Sequence, residues 1–317
     1  MSMTAHNHSE LNALGHEIHI SRFILLDMLH NNYITSDDTI VTLYEDRKFL
    51  YTNLFKTVII YKEFLLISTN SSQIKILNLC ELSYTPHITE DRLKQFENIS
   101  NYPIRTYIPE YVFNNYNLTK PLVLARSEHN FDYLLNNINY PDISDFAHHT
   151  QSKFIVIHHR VITINQPHHI KKNIEYYNTI LTNLINSVKC KYNTIFIFSI
   201  NEYDNIKSDN IIYINKLDIY ASLLAHTNCD GIISEWSGGG QLSHYCHNNK
   251  VLYYFDHYSE NNYCVDKDNL IALANHGIYD AFDFHKTREL QLFMYKTIND
   301  LLFYLNNLNI DNHTIHI

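Results

Sequence analysis

The sequence predicts an α/β protein made of two consecutive β/α/β halves, and three observations carry that prediction. Apolar runs of strand length alternate with longer stretches whose apolar residues recur at helical spacing. The alternation lapses in a polar stretch, around Asp142 to Lys153, and then restarts. Late in the second half, Cys229 to Tyr254 reads as strand, glycine-rich turn, helix and strand, a unit that suits ligand binding at the edge of a parallel sheet.

In chain order, Ile18 to Leu29 has apolar residues at helical spacing, and Asn31-Asn32 ends that helix. Thr39 to Tyr44 is a strand, Arg47 to Phe55 an amphipathic helix, and Thr57 to Tyr61 a strand. Gln73 to Leu79 reads as a strand, Ile88 to Phe96 as a helix and Pro121 to Ala125 as a short strand. The domain junction is expected near residue 150, giving halves 1–150 and 151–317. In the second half Phe154 to His158 is a buried strand and Asn173 to Val188 a long helix. Thr194 to Ser199 and Asn210 to Ile214 are strands, and Leu217 to His226 is a helix. A helix is expected from Gln241 to His247 and a strand from Val251 to Phe255. The closing helix is expected over about 287–305, packing back and able to reach the first half.

Composition narrows the class. The chain has 317 residues, enough for two domains, and 45% of them are apolar. A formal net charge of -9 argues against broad binding to nucleic acid or to an anionic membrane surface. No run approaches the apolar length of a membrane span, and the start MSMTAHNHSE lacks a signal-peptide core. The five cysteines are scattered without a CxxC pair, which reads as reduced thiols of a cytoplasmic protein. Twenty-one histidines invite a metal reading, but no HExxH or Cys/His ligand spacing occurs, so no metal site is expected. Thr4 to Leu14 is polar where a first strand would stand, so the first half either begins atypically or belongs to a longer chain.

Three constellations could carry chemistry. The first is Glu235-Trp236-Ser237-Gly238-Gly239-Gly240-Gln241. Bare glycine backbone entering a helix lets N–H groups approach an anion, and Glu235, Ser237 and Gln241 add polar groups around it. The structural alternative is a tight turn whose glycines allow close packing. The second is Gly15-His16-Glu17 at the start of the first helix. Imidazole titrates near neutral pH and a carboxylate can orient it, so His16 is the candidate base and Glu17 its alternative. The third is His158-His159-Arg160 after the strand FIVI, where Arg160 could pair bidentately with a pyrophosphate.

Asp230 to Ser243, followed by Lys250 to Phe255, resembles the donor-site segment of GT-B glycosyltransferases, most closely the heptosyltransferase-like group. Ser237-Gly238 falls on the S/T-G of that pattern and Gln241-Leu242-Ser243 on its H-L-A. Gly239 stands in place of the usual proline, Gln241 in place of the histidine, and Trp236 in place of an acidic or polar residue. Gly15-His16 resembles the G-H-x-x-P of undecaprenyl-linked and plant-type transferases. His158-x-Arg160 resembles the H-x-R of GDP-fucose-dependent fucosyltransferases, with Val161-Ile162 where G-D usually follows. The resemblance implies two Rossmann-like domains facing a central cleft. It implies a nucleotide-diphosphate sugar, UDP- or GDP-linked, held in the second half by Arg160, Glu235, Ser237, Gly238, Gly239, Gly240 and Gln241. A glycan or other hydroxyl acceptor would be held by the first half, with metal-independent hexosyl or heptosyl transfer using His16. A nucleotide-sugar 2-epimerase of the same architecture and a non-catalytic binding relative are the alternatives.

Overall fold

The computed structural model describes residues 35–42, 44–60, 62–63, 76–78, 138–161, 172–199, 206, 208–235, 237–245, 250–254, 291–295 and 297–307, together with Leu14 and Leu29. The chain divides into two compact units, Met1–Pro141 with Gly277–Asp280 and Asp142–His276 with Ala281–Ile317.

In the first unit, three short strands pair in parallel in the order β2-β1-β3: β1 (Thr39–Thr42), β2 (Thr57–Ile60) and β3 (Ile76–Asn78). Between β1 and β2, Glu45–Leu50 forms a 3-10 helix rather than the amphipathic α-helix expected over Arg47 to Phe55. Two local causes act. Tyr44 provides no side-chain cap, and Tyr51-Thr52-Asn53 are poor helix formers, so the chain closes through short turns such as Tyr51 N–H to Lys48 O. The first helix apart from Leu29, the expected helix at Ile88 to Phe96 and the strand at Pro121 to Ala125 lie outside the described residues.

The second unit holds a six-stranded sheet. Its strands are β4 (Phe154–His158), β5 (Thr194–Phe198), β6 (Ile211–Ile214), β7 (Cys229–Glu235), β8 (Lys250–Tyr254) and β9 (Gln291–Tyr295). Every pair is parallel, and the spatial order is β6-β5-β4-β7-β8-β9. Counted from β4 this is 3-2-1-4-5-6, the order of a doubly wound sheet. β4 and β5 are buried along their whole length, as continuous apolar strands covered on both faces must be.

The helices are α1 (Ala147–Thr150), α2 (Ile174–Val188), α3 (Leu217–Ala225), α4 (Gly238–Gln241) and α5 (Ile298–Asn307). α2 buries Tyr177, Ile180, Leu181, Leu184, Ile185 and Val188, a stripe at helical spacing. With Ile298, Leu301 and Leu305 of α5 it covers the sheet face formed by Ile155, Ile157, Ile195, Ile197, Ile233 and Leu252. α3 lies on the opposite face, where the Tyr220 ring stacks on Phe198 at 4.1 Å.

Three expectations change here. The polar stretch Asp142 to Lys153, where the junction was expected, packs with the second unit. Phe146 meets the edge of Phe196 at 5.8 Å, and Asn228 Nδ2 donates to the Thr150 carbonyl at 2.7 Å. The unit therefore begins at Asp142 rather than near 150. The expected closing helix over 287–305 is split: Gln291–Tyr295 extends the sheet as β9, and α5 starts only at Ile298. Thr297 and Asp300 fix that start reciprocally, Asp300 N–H donating to Thr297 Oγ1 at 3.2 Å and Thr297 N–H to Asp300 Oδ2 at 3.0 Å. α5 packs on α2 within the same unit. Finally, the expected helix at Gln241 to His247 starts earlier. The glycines form the short α4, and Leu242–Tyr245 continues as a 3-10 turn.

Candidate functional site at the carboxyl ends of β4 and β7

In a sheet of this order the chain leaves β4 and β7 in opposite directions, which opens a crevice beyond their carboxyl ends. His158-His159-Arg160 follows one of these strands and Glu235 to Gln241 ends the other. Two constellations far apart in sequence therefore meet at one sheet edge. His158 and Ser234 are direct partners in the β4–β7 register.

Their side chains interlock. His158 Nδ1 lies 2.9 Å from Ser234 Oγ and 3.2 Å from Ser237 Oγ. The ring stacks on Phe198 at 5.5 Å and lies 6.0 Å from the Tyr220 ring. Burial, reinforced by the positive charge of Arg160 and by the neighbouring His159, lowers the His158 pKa to about 3, so the ring is neutral. His159 is buried against the Tyr177 ring, and burial lowers its pKa to about 4.

The glycines serve this interlock. A Cβ on Gly239 would sit 2.5 Å from His158 Nε2, and one on Gly240 would sit 2.8 Å from Tyr253 Cε1 and collide with Ser234 Oγ. The segment is held from the other side as well. Tyr220 donates its hydroxyl to the Gly239 carbonyl at 2.9 Å, and Ser243 Oγ donates to the Gly240 carbonyl at 2.6 Å. Gly239 and Gly240 are thus interior packing positions, while Ser237 and Gly238 stay half-exposed.

The remaining expected residues separate by burial. Glu235 is 0% exposed and sits beside Tyr254 in the β7–β8 register, inside the unit rather than at its surface. Arg160 is half-buried. Its charge acts on both His158 and Tyr254, whose strands flank β7. Burial raises the Tyr254 pKa despite Arg160. The backbone of Gln241 belongs to α4, but its side chain lies outside the described residues, as do Trp236, His16 and Glu17.

Beyond β4 and β7, Arg160 is half-buried and Ser237 and Gly238 are half-exposed. Among the described residues no group of three or more His, Cys, Asp or Glu side chains could hold a metal ion. No helix among them is long and apolar enough to cross a membrane. Sequence reading singled out His158 but not its contacts here, and it overlooked Ser234 and Tyr220 as parts of this edge. His158 and Ser234 carried a signal, being polar residues at the carboxyl ends of otherwise apolar strands, whereas nothing in the sequence links Tyr220 to Gly239.

Comparison with protein-family models, with curated proteins and with solved structures gives no match for this chain.

Proposed function

We propose that the second unit binds the diphosphate of a nucleotide sugar at this edge, as part of a glycosyltransferase with a GT-B-like pair of domains. The observation that carries the reading is the strand order, which leaves Arg160 and Ser237-Gly238 together beyond β4 and β7. Guanidinium pairs with phosphate oxygens bidentately, and a hydroxyl and bare backbone N–H groups beside it are suited to the remaining oxygens. In this reading UDP or GDP is the leaving nucleotide. Arg160 offsets the charge that develops on it, and His16 takes the proton of the acceptor hydroxyl.

A second reading has its own support. Gly239 and Gly240 are explained by packing, and Glu235 is fully buried. Those features suit a relative that keeps the sheet without the transfer reaction.

Thermal unfolding with UDP, GDP, dTDP and CMP at millimolar concentration tests both readings. A ligand that binds only the native state raises the midpoint by mass action. The transferase reading expects a rise with a nucleoside diphosphate, followed by sugar transfer when the matching nucleotide sugar and a glycan acceptor are supplied. No rise with any of the four sinks it, and a rise without transfer favours the non-catalytic relative.

A further inference from the structure

We propose that His158 is a positioning residue, held as the neutral Nδ1–H tautomer, that clamps the Ser237–Gly240 segment onto the carboxyl ends of β4 and β7. The hydrogen bonds assign the proton. Ser234 donates its one hydroxyl hydrogen to the Glu235 carbonyl oxygen at 2.6 Å. Towards His158, 2.9 Å away, the Ser234 oxygen can then only accept, so Nδ1 carries the hydrogen. The same N–H reaches Ser237 Oγ at 3.2 Å, a longer second limb that ties the residue preceding α4 to β4.

The opposite edge of the ring completes the clamp. A Cβ on Gly239 would lie 2.5 Å from Nε2 and 2.7 Å from Cε1, so the imidazole rests against bare backbone. Phe198 stacks on one face of the ring, and Tyr220 stands beside it with its hydroxyl on the Gly239 carbonyl. One side chain on β4 therefore touches β5, β7, α3 and the glycine segment.

The titratable and charged groups around it disfavour a second proton. Arg160 and His159 on its own segment are cationic or become so on protonation, and both lower the His158 pKa after burial has done so. Tyr220 is the titratable group facing it from α3, and Glu235 follows its partner Ser234 on β7, while Phe198, Ser237 and Gly239 bring no charge. A second N–H at Nε2 would point at the Gly239 backbone. The inference does not depend on the donor-site reading, because the clamp holds the segment whether it meets phosphate or only packs.

Long-range proton–nitrogen correlation NMR of the 15N-labelled full chain tests the tautomer. The expected result is an imidazole with the neutral Nδ1–H pattern, unchanged between about pH 5 and 8 and missing from His158→Asn. An Nε2–H pattern for His158, or a ring titrating near an ordinary histidine pKa, overturns it. Amide exchange tests the clamp. His158→Leu should speed exchange at Gly239 and Gly240 by about tenfold or more, with little change in β5, as local opening does. His158→Asn, which restores a side-chain N–H, should recover much of that protection. Unchanged exchange in His158→Leu contradicts the clamp; if that variant does not fold, Ser237→Ala carries the same readout at a half-exposed position.

Discussion

Tyr220 Oη and the Gly239 carbonyl oxygen are 2.9 Å apart, so a helix on one face of the sheet is bonded to the glycine segment at its edge. The bond joins α3, which precedes β7, to α4, which follows it. It holds the crossing into the candidate site at both ends.

Gly239→Ala tests how closely that segment packs. The added methyl would meet the His158 ring at 2.5 Å. Overpacking of this kind costs about 1–3 kcal/mol. Urea unfolding should show a lower midpoint, and His158→Ala in the same chain should return part of the loss, because contacting residues couple. Equal stability of Gly239→Ala and wild type would mean the segment has room to spare.

Asn173→Ala tests the start of α2. The Asn173 side chain accepts from the Tyr176 N–H at 2.8 Å, at an exposed position. Losing such a cap costs about 1 kcal/mol. Asn173→Ser should keep most of it, since serine caps as well. If alanine is as stable as asparagine, the helix takes its stability from the packed stripe alone.

Acidification should destabilise the second unit through its buried histidines. His158 and His159 have folded pKa values of about 3 and about 4, against 6.5 for an ordinary histidine. The unfolded chain takes up these protons first. Their contribution is thus complete above pH 6.5 and is lost as pH falls through the window down to the folded values. Each group contributes a slope of up to about 1.4 kcal/mol per pH unit inside that window. Urea midpoints at pH 7, 6 and 5 should fall progressively, and His159→Leu should flatten the slope. A midpoint independent of pH over this range would contradict the buried, neutral state of both rings.

Much of the second unit was legible in its sequence for a physical reason. Phe154–His158 and Thr194–Phe198 are parallel strands buried on both faces, so they read as unbroken apolar runs. α2 was legible because its buried stripe recurs at helical spacing behind a capping asparagine. β9 was misread because Leu290, Phe293 and Ile298 also fit a helical period, while the edge of β8 that pairs with β9 is a non-local partner. The pair Thr297 and Asp300 was the local sign that a helix starts only at Ile298. The site was half legible. The residues after β4 and β7 stood out as polar ends of apolar strands, but adjacency of the two strands is a property of strand order. The packing role of Gly239 and Gly240 depends on His158, Ser234 and Tyr253, which no sequence spacing connects to them.

Calorimetric titration of UDP and GDP into the wild type and into Arg160→Ala tests the central claim most directly. The account predicts that one of the two binds the wild type and binds Arg160→Ala at least about tenfold more weakly, as loss of a charge-assisted phosphate contact implies. The melting temperature of the free variant should stay close to that of the wild type. Equal affinity in the two proteins, or no binding of either nucleotide to the wild type, would contradict the assignment of this edge as a diphosphate site.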